Sequence, residues 1–399
     1  MKVFCSHRAN FFAAIFFFTT DGRSDKLQSN ILSQTDLKPI LIGLISFFSL
    51  QAEVRGYLAP PPHPDSNGVY MEASFLMWQA KLWGLEFASK SFVPNTAGAV
   101  SQTFQEKLFV PDFAWRPGGK FLIGGPLPHD RWDLQGSWTF YREECTDLKK
   151  NFDSQIAPAD IGIIPLWPSP FFQIIGGNSG NPLRYSEAAG NWKMTFNAWD
   201  LELARQFSPE ESIPMRLKMG AKFSKVTQHY YAKYAGGTTQ LAFPSQGAAQ
   251  QLTQFLSSDF HAKIDQWGLG PRIGLESLWH MFYGVSLIGN GAFSMLYSFF
   301  DVHSSFRDIV QPNSGENTMK MREHIRELTP ILEAMLGLHW ETTLRDAYVL
   351  SVRLGYEWQF WWAMNHLRRQ YVQTLPGETF DMRGELQMQG LSAAIKFDF

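Results

Sequence analysis

The stretch WDLQGSWTFYRE, residues 132–143, sets Trp132, Leu134, Trp138 and Phe140 on one parity, and Asp133, Gln135, Ser137, Thr139 and Tyr141 on the other. That is the two-residue period of a β-strand with one apolar and one polar face. On a helix, at about 100° per residue, the four large apolar groups would scatter around the axis. The environment of the strand is a separate question. A soluble sandwich would bury the Trp face in a core, whereas an outer-membrane barrel would set it against acyl chains.

Composition leans toward the second. Of 399 residues, 18% are charged and 15% aromatic, with 34 Phe and 14 Trp. No uninterrupted apolar run reaches the roughly 18 residues that a membrane-spanning helix needs. A barrel keeps hydropathy low because half of every strand faces a polar lumen. The formal net charge of −2 carries no basic signature of a nucleic-acid partner. Ser/His/Asp lipase patterns, Cys/His metal spacings and Gly-rich phosphate loops are missing, so no cofactor or metal is expected.

Residues 1–52 read as a cleaved leader. Lys38 precedes the apolar stretch 39–50, which ends near the small residue Ala52, in the order of a secretory signal. A second apolar patch, NFFAAIFFFTT at 10–20, implies an extended leader or a start assigned upstream of the true one. Residues 53–68 form a Pro-rich linker and 69–399 the barrel. Beyond the leader only Cys145 remains, so no internal disulfide framework is possible.

Alternating segments fill the rest. IPMRLKMGAKFSK (213–225) places Ile213, Met215, Leu217, Met219, Ala221 and Phe223 on one face and Arg216, Lys218 and Lys222 on the other. FQEKLFVPDFAWRPGGKFLIGG (104–125) reads as one strand kinked at 117–119. NWKMTFNAWDLEL (191–203) changes parity between Ala198 and Trp199, as a β-bulge or a misplaced boundary would make it do. Short connectors at 126–130, 208–212, 277–281 and 341–346 alternate with long ones at 91–103, 143–190, 232–258, 301–324 and 365–383. Outer-membrane barrels have this rhythm, with short periplasmic turns and long external loops. The expectation is an all-β transmembrane antiparallel barrel of ten to twelve strands, with 143–190 able to hide a further pair. The final strand, GLSAAIKFDF (390–399), ends on Phe399, placed as an assembly signal would be.

FAWRPGGKFLIGGPLPHDRWDLQGSWTFYRE (113–143), VYMEASFLMWQAKLWGLEFA (69–88) and GLSAAIKFDF together resemble the major-outer-membrane-protein-like porins of the chlamydial and legionella type. The resemblance covers about 69–399. It departs from the family at RPGGKFLIGGP, and chlamydial members are cysteine-rich where this chain is not. It implies a non-catalytic, pore-forming barrel without naming a solute.

Inward parity then collects the candidate pore lining: Asp133, Gln135, Thr139, Asp200, Glu202 and Glu276, with Glu333, Glu357, Arg216, Lys218, Lys222, Arg272 and Arg353. Both signs on one face suit a wet channel with a transverse field and weak selectivity. The competing reading is paired ions plugging a narrow barrel. Trp132, Leu134, Trp138, Phe140, Trp358 and Phe360 are the expected lipid face, and Trp192, Trp267 and Trp340 further girdle candidates. The only catalytic hints are Asp259 with His261 near a rim and His129-Asp130 in a turn, with no partner carboxylates. The expected function is passive diffusion of ions and small hydrophilic solutes across the bacterial outer membrane. The alternative is an adhesin or structural barrel with a largely closed lumen. Expected partners are outer-membrane lipid, the barrel assembly machinery and the solutes, with a homo-oligomer compatible and nucleic acid not.

Overall fold

The structure is a computed structural model that describes residues 68–92, 105–128, 132–150, 163–167, 185–210, 213–241, 251–282, 284–311, 315–344, 348–370 and 379–399. The expected leader and most of the linker lie outside the described residues. Thirteen strands run in chain order: β1 (Tyr70–Leu82), β2 (Ala88–Phe92), β3 (Gln105–Phe109), β4 (Arg116–Pro126), β5 (Trp132–Lys150), β6 (Ile163–Pro165), β7 (Glu187–Glu210), β8 (Ile213–Leu241), β9 (Gln251–Phe282), β10 (Val285–Gln311), β11 (Gly315–Leu344), β12 (Tyr348–Gln370) and β13 (Thr379–Asp398).

Ten of them close into an antiparallel barrel in the order β1-β4-β5-β7-β8-β9-β10-β11-β12-β13. The seam joins β1 to β13 without a break, from Tyr70 opposite Asp398 to Leu82 opposite Leu386. The amide of Phe399 adds one more bond, to the carbonyl of Val69 at 3.1 Å. The remaining strands, β3, β2 and β6, form a small separate sheet. At one end the chain passes from β7 to β8, β9 to β10 and β11 to β12 over two or three residues. By barrel convention that is the periplasmic end, and β1 starts and β13 ends there.

The strands are longer than their apolar periods suggest. SLWHM at 277–281 lies inside β9, and the reversal comes later, at Gly284 with φ of +74°. The described residues of 301–324 are all strand, in β10 up to Gln311 and in β11 from Gly315. FQEKLFVPDFAWRPGGKFLIGG is not one kinked strand: it divides at 110–115 into β3 of the small sheet and β4 of the barrel. Segment 143–190 adds no pair to the barrel, since β5 and β7 extend into it and pair directly with each other.

Neither a bulge nor a strand boundary falls at Ala198–Trp199 in β7. Its register to β5 runs unbroken from Lys150–Glu187 to Trp132–Arg205. Trp192, Met194 and Phe196 point inward and are buried, while Trp199, Leu201 and Leu203 point outward. The backbone keeps its parity, and what changes at residue 199 is which face is apolar. Register shifts lie elsewhere: in β12 between Trp361 and Asn365, where Ala363 takes φ of +51°, at the end of β7 between Phe207 and Glu210, and near both ends of β10.

The seam supplies a test. A Cβ on Gly390 would lie 2.1 Å from the carbonyl oxygen of Met77 and 2.8 Å from Cα of Trp78. Gly390→Val should therefore part β13 from β1 and cost about 3 kcal/mol. The folded fraction, read as heat-modifiable migration on gels, should fall. Gly136→Val, where an added Cβ meets nothing within 4 Å, should leave migration unchanged.

Candidate functional site

The inward faces build two layers of different chemistry. Toward the periplasmic end they carry charge. Arg272 on β9 contacts Glu202 on β7 at 2.7 Å and Glu333 on β11 at 2.7 Å. Lys222 on β8 reaches Asp200 at 2.8 Å and Glu333 at 2.9 Å. Lys218 pairs with Glu276 at 2.6 Å, and Arg216 with Asp133 at 2.6 Å, across the intervening β7. Arg216 also donates to the hydroxyl of Tyr70 at 2.7 Å, joining β8 to β1. Arg353 pairs with Glu72, while Gln135 donates to Glu202 at 2.6 Å. Lys222 and Arg272 side chains are 3% and 7% exposed, so these are buried pairs. Each would be costly alone in a low-dielectric interior and is tolerable only with its partners in place.

Every predicted pore-lining residue falls on this inward parity. Thr139 is buried among them, and Glu357 sits in the field of Arg353 and of Lys120 from β4. Lys120, Glu72 and Tyr70 were missed by sequence reasoning. Lys120 lies in the glycine-interrupted run RPGGKFLIGG, where large apolar residues are too sparse to fix a parity. Glu72 was discoverable from the alternation of YMEASF, since it shares parity with Tyr70 and Ser74.

Toward the external end the lumen is filled with apolar groups. Leu76, Trp78, Phe196, Tyr230, Phe260, Phe300 and Trp361 are all at most 2% exposed. Phe196 and Trp361 meet edge to face at 5.2 Å between centroids, so β7 touches β12 across the interior. Two segments between strands enter this layer. Leu85 and Phe87, after β1, and Trp167, after β6, are buried in the same cluster. Trp167 stacks on Phe260 at 4.6 Å and 6°, and the Arg369 guanidinium lies 4.9 Å over its ring. Tyr230 and Tyr234 donate to the carbonyls of Leu85 and Phe87 at 3.2 and 2.5 Å. Arg369 also donates to the carbonyl of Glu86 at 2.9 Å. These segments cap the barrel interior from the external side.

Outside, Leu134, Trp138 and Phe140 are exposed, and Trp132, Trp358 and Phe360 lie on the same outward parity. Trp267 and Trp340 are exposed at opposite ends of the apolar wall. Trp192 is the correction: it is fully buried inside, its indole N–H 3.3 Å from the Gln228 side-chain oxygen. The apolar cap draws aromatics into the lumen, so a Trp near a strand end does not by itself mark a girdle. Phe399 is half-exposed and packs on Phe397 at 4.9 Å. Asp259 and His261 lie on β9 with outward parity, and His129-Asp130 lies outside the described residues. Among the described residues no His/Cys/Asp/Glu group could hold a metal.

The family model described as Legionella pneumophila major outer membrane protein precursor matches residues 64–399, which is the whole barrel. The chain belongs to this family. It is an outer-membrane β-barrel of the bacterial cell. No curated protein matches it significantly. Among solved structures, it is similar to the outer membrane protease OmpT of Escherichia coli, at 11% identity and a TM-score of 0.34, covering 84% of this chain and 96% of that one. A major outer membrane protein from Thermus thermophilus is similar at 11% identity and a TM-score of 0.23, covering 81% and 99%. A FadL homologue of Pseudomonas aeruginosa follows at 10% and 0.23, covering 83% and 90%. At these scores the structural likenesses carry no argument about activity.

The buried lattice makes a stability prediction for this family member. Arg272→Leu leaves Glu202 and Glu333 without their shared cation and should cost about 3–5 kcal/mol. Adding Glu333→Met to Arg272→Met should recover much of that loss, because fewer charges remain uncompensated. Urea unfolding in lipid vesicles, followed by Trp fluorescence, would measure both.

Proposed function

We propose that this protein is a pore-forming outer-membrane barrel for ions and small hydrophilic solutes, non-catalytic, with a charged vestibule beneath a displaceable external cap. The observation that carries this reading is the contrast between the two layers. The external half demonstrates that this barrel can be filled with apolar side chains. Buried ion pairs are seldom more stabilising than such packing, so a purely structural barrel has little reason to keep charges in the other half. Charges retained inside a membrane protein point to a water or ion pathway. The family description, major outer membrane protein, agrees with an abundant non-enzymatic component, and the outward placement of Asp259 and His261 supports the same reading.

The cap favours one competitor. With Leu85, Phe87 and Trp167 seated inside the barrel, the molecule in this conformation suits a surface-exposed adhesin or structural barrel with a closed lumen. In the proposed pore, passage requires the cap to leave and the contacts that cross the lumen, Phe196 on Trp361 and Arg272 on Glu333, to part. The cap segments lie between strands and not in the wall, so their departure together with the small sheet breaks no ladder of the barrel, only the bridge between Ile163 and Tyr185.

Conductance of the refolded mature barrel in planar bilayers separates these readings. The wild type should conduct intermittently, and Trp167→Ala with Arg369→Ala should raise the open fraction at least tenfold. Lys218→Glu, placing a third acid beside Glu276 and Glu202, should shift the reversal potential toward cation selectivity. Heat-modifiable barrels that stay silent even with the cap weakened would leave the structural role.

A further inference from the structure

Above the aromatic belt the outer wall of four consecutive strands carries an ordered field of basic residues. Strand register places Lys225, Trp267, Phe299 and Arg326 in one row across β8, β9, β10 and β11. Trp267 stacks on Phe299 at 4.2 Å, and the Arg326 guanidinium lies 5.6 Å over the Phe299 ring. Below this row the outward residues are apolar, including Leu269 and Ile273 on β9, Tyr297 on β10 and Leu328 on β11. The row therefore marks the external edge of the lipid-facing wall.

The next outward row is Thr227, Asp265, Asp301 and His324. The one above it, His229, Lys263, His303 and Arg322, consists entirely of basic or imidazole side chains. Tyr231, His261, Ser305 and Lys320 follow, and then Lys233, Asp259, Arg307 and Thr318. The acids nearest the belt are already engaged: Asp265 by Lys263 at 2.5 Å, and Asp301 by Arg322 at 2.9 Å. Lys225, Lys233, Lys320 and Arg326 make no ion pair among the described residues. Elsewhere on the outer wall Lys193 pairs with Glu144 at 2.6 Å and Arg383 with Asp381 at 3.0 Å, while Lys81 and Arg142 stand singly without an ion pair among the described residues. The cations are densest on β8–β11, where consecutive rows carry them on adjacent strands.

Height supplies the ligand. Successive rows are two residues apart, roughly 7 Å along a strand and about 5 Å in height once strand tilt is included. The wholly basic row therefore stands about 10 Å above the belt, just beyond the roughly 5–8 Å headgroup zone that flanks the hydrocarbon, and its long Lys and Arg side chains can reach back into that zone. Phosphate oxygens are the acceptors that guanidinium and ammonium groups recognise there. The belt beneath presents flat aromatic faces to the acyl chains of the same molecule.

We propose that the β8–β11 face is a binding site for phosphorylated glycolipid of the outer leaflet. Lys263, Lys320 and Arg322 hold its headgroup phosphates, and Trp267 and Phe299 pack against its acyl chains. The site lies on the outside of the wall, so it stands whether or not the lumen conducts.

The test uses the refolded full barrel in zwitterionic detergent, titrated with bisphosphorylated lipid A, with bound lipid counted by native mass spectrometry. Folded protein is selected by heat-modifiable migration. The triple variant Lys263→Gln, Lys320→Gln, Arg322→Gln should bind lipid A at least tenfold more weakly. A control triple outside this face, on β1, β5 and β13, Lys81→Gln, Arg142→Gln, Arg383→Gln, should stay within twofold of wild type. Dephosphorylated lipid A should bind as poorly to wild type as lipid A does to the first triple, and millimolar inorganic phosphate should not compete. Equal affinity in the first triple, equal loss in both triples, or full competition by inorganic phosphate would each overturn the proposal.

Discussion

In hydrocarbon no water can satisfy a backbone N–H or C=O, so a sheet that crosses a membrane must leave no edge. The unbroken pairing of β1 with β13 meets that constraint, and the remaining architecture follows from it. Closure by antiparallel neighbours puts Tyr70 and Phe399 at one end and makes every second connection short. It also fixes each residue as inward or outward, because slipping one residue at the seam would turn every side chain on a strand through the wall. The close approach of Gly390 to the Met77 carbonyl lies at this seam.

Closure fixes parity but not which parity should be apolar. That is decided by the medium, and the medium changes along the barrel. Beside the bilayer, Leu134, Trp138, Leu201 and Ile273 point out, and Gln135, Asp200, Glu202 and Arg272 point in. Beyond the belt at Trp267 and Phe299, His229, Lys263, His303 and Arg322 point out, while Tyr230, Ile264, Val302 and Phe306 point in. The outer half is built like a small water-soluble barrel stacked on a membrane-spanning one, with no interruption in the strands. An apolar core in the upper half and a charged lattice in the lower half are two consequences of this inversion.

The same inversion explains what could be read in the sequence. Strands bordered by lipid were legible because large apolar side chains recur at every second position, as in WDLQGSWTFYRE and in 348–360. Family, compartment and the direction of each strand followed from them together with the connector rhythm. NWKMTFNAWDLEL straddles the belt, so its apolar residues change faces at Ala198–Trp199 and imitate a bulge. Segment 301–324 lies wholly above the belt, where Asp301, His303 and Arg307 on the outside made it look like a loop. The mid-strand shift in β12, at Trp361–Asn365, sits in an apolar run (QFWWAMN) where no alternation could reveal it. The pairing of the Arg216/Lys218/Lys222 ladder with acids of the neighbouring strand was legible, and Lys222 does meet Asp200. Arg272 with Glu333 and Arg216 with Asp133 were not legible, because they join strands that are not neighbours. The cap was hidden for the same reason: Trp167 belongs to no periodic segment, and only the closed ring brings Phe260 and Arg369 around it.

The two fillings of the lumen also differ in what removing them would disturb. The ion pairs are made by side chains of the wall itself, with Arg216, Lys222 and Arg272 each tying strands that are not neighbours. They act as spokes, and breaking them strands buried charge and weakens the ring. The cap instead rests on hydrogen bonds from Tyr230, Tyr234 and Arg369 to carbonyls of residues outside the barrel strands, with ring contacts to Trp167. Those bonds can be exchanged for bonds to water without disturbing a ladder. The barrel thus combines a rigid charged base with a detachable apolar top, an arrangement in which closure and wall stability are set by different residues.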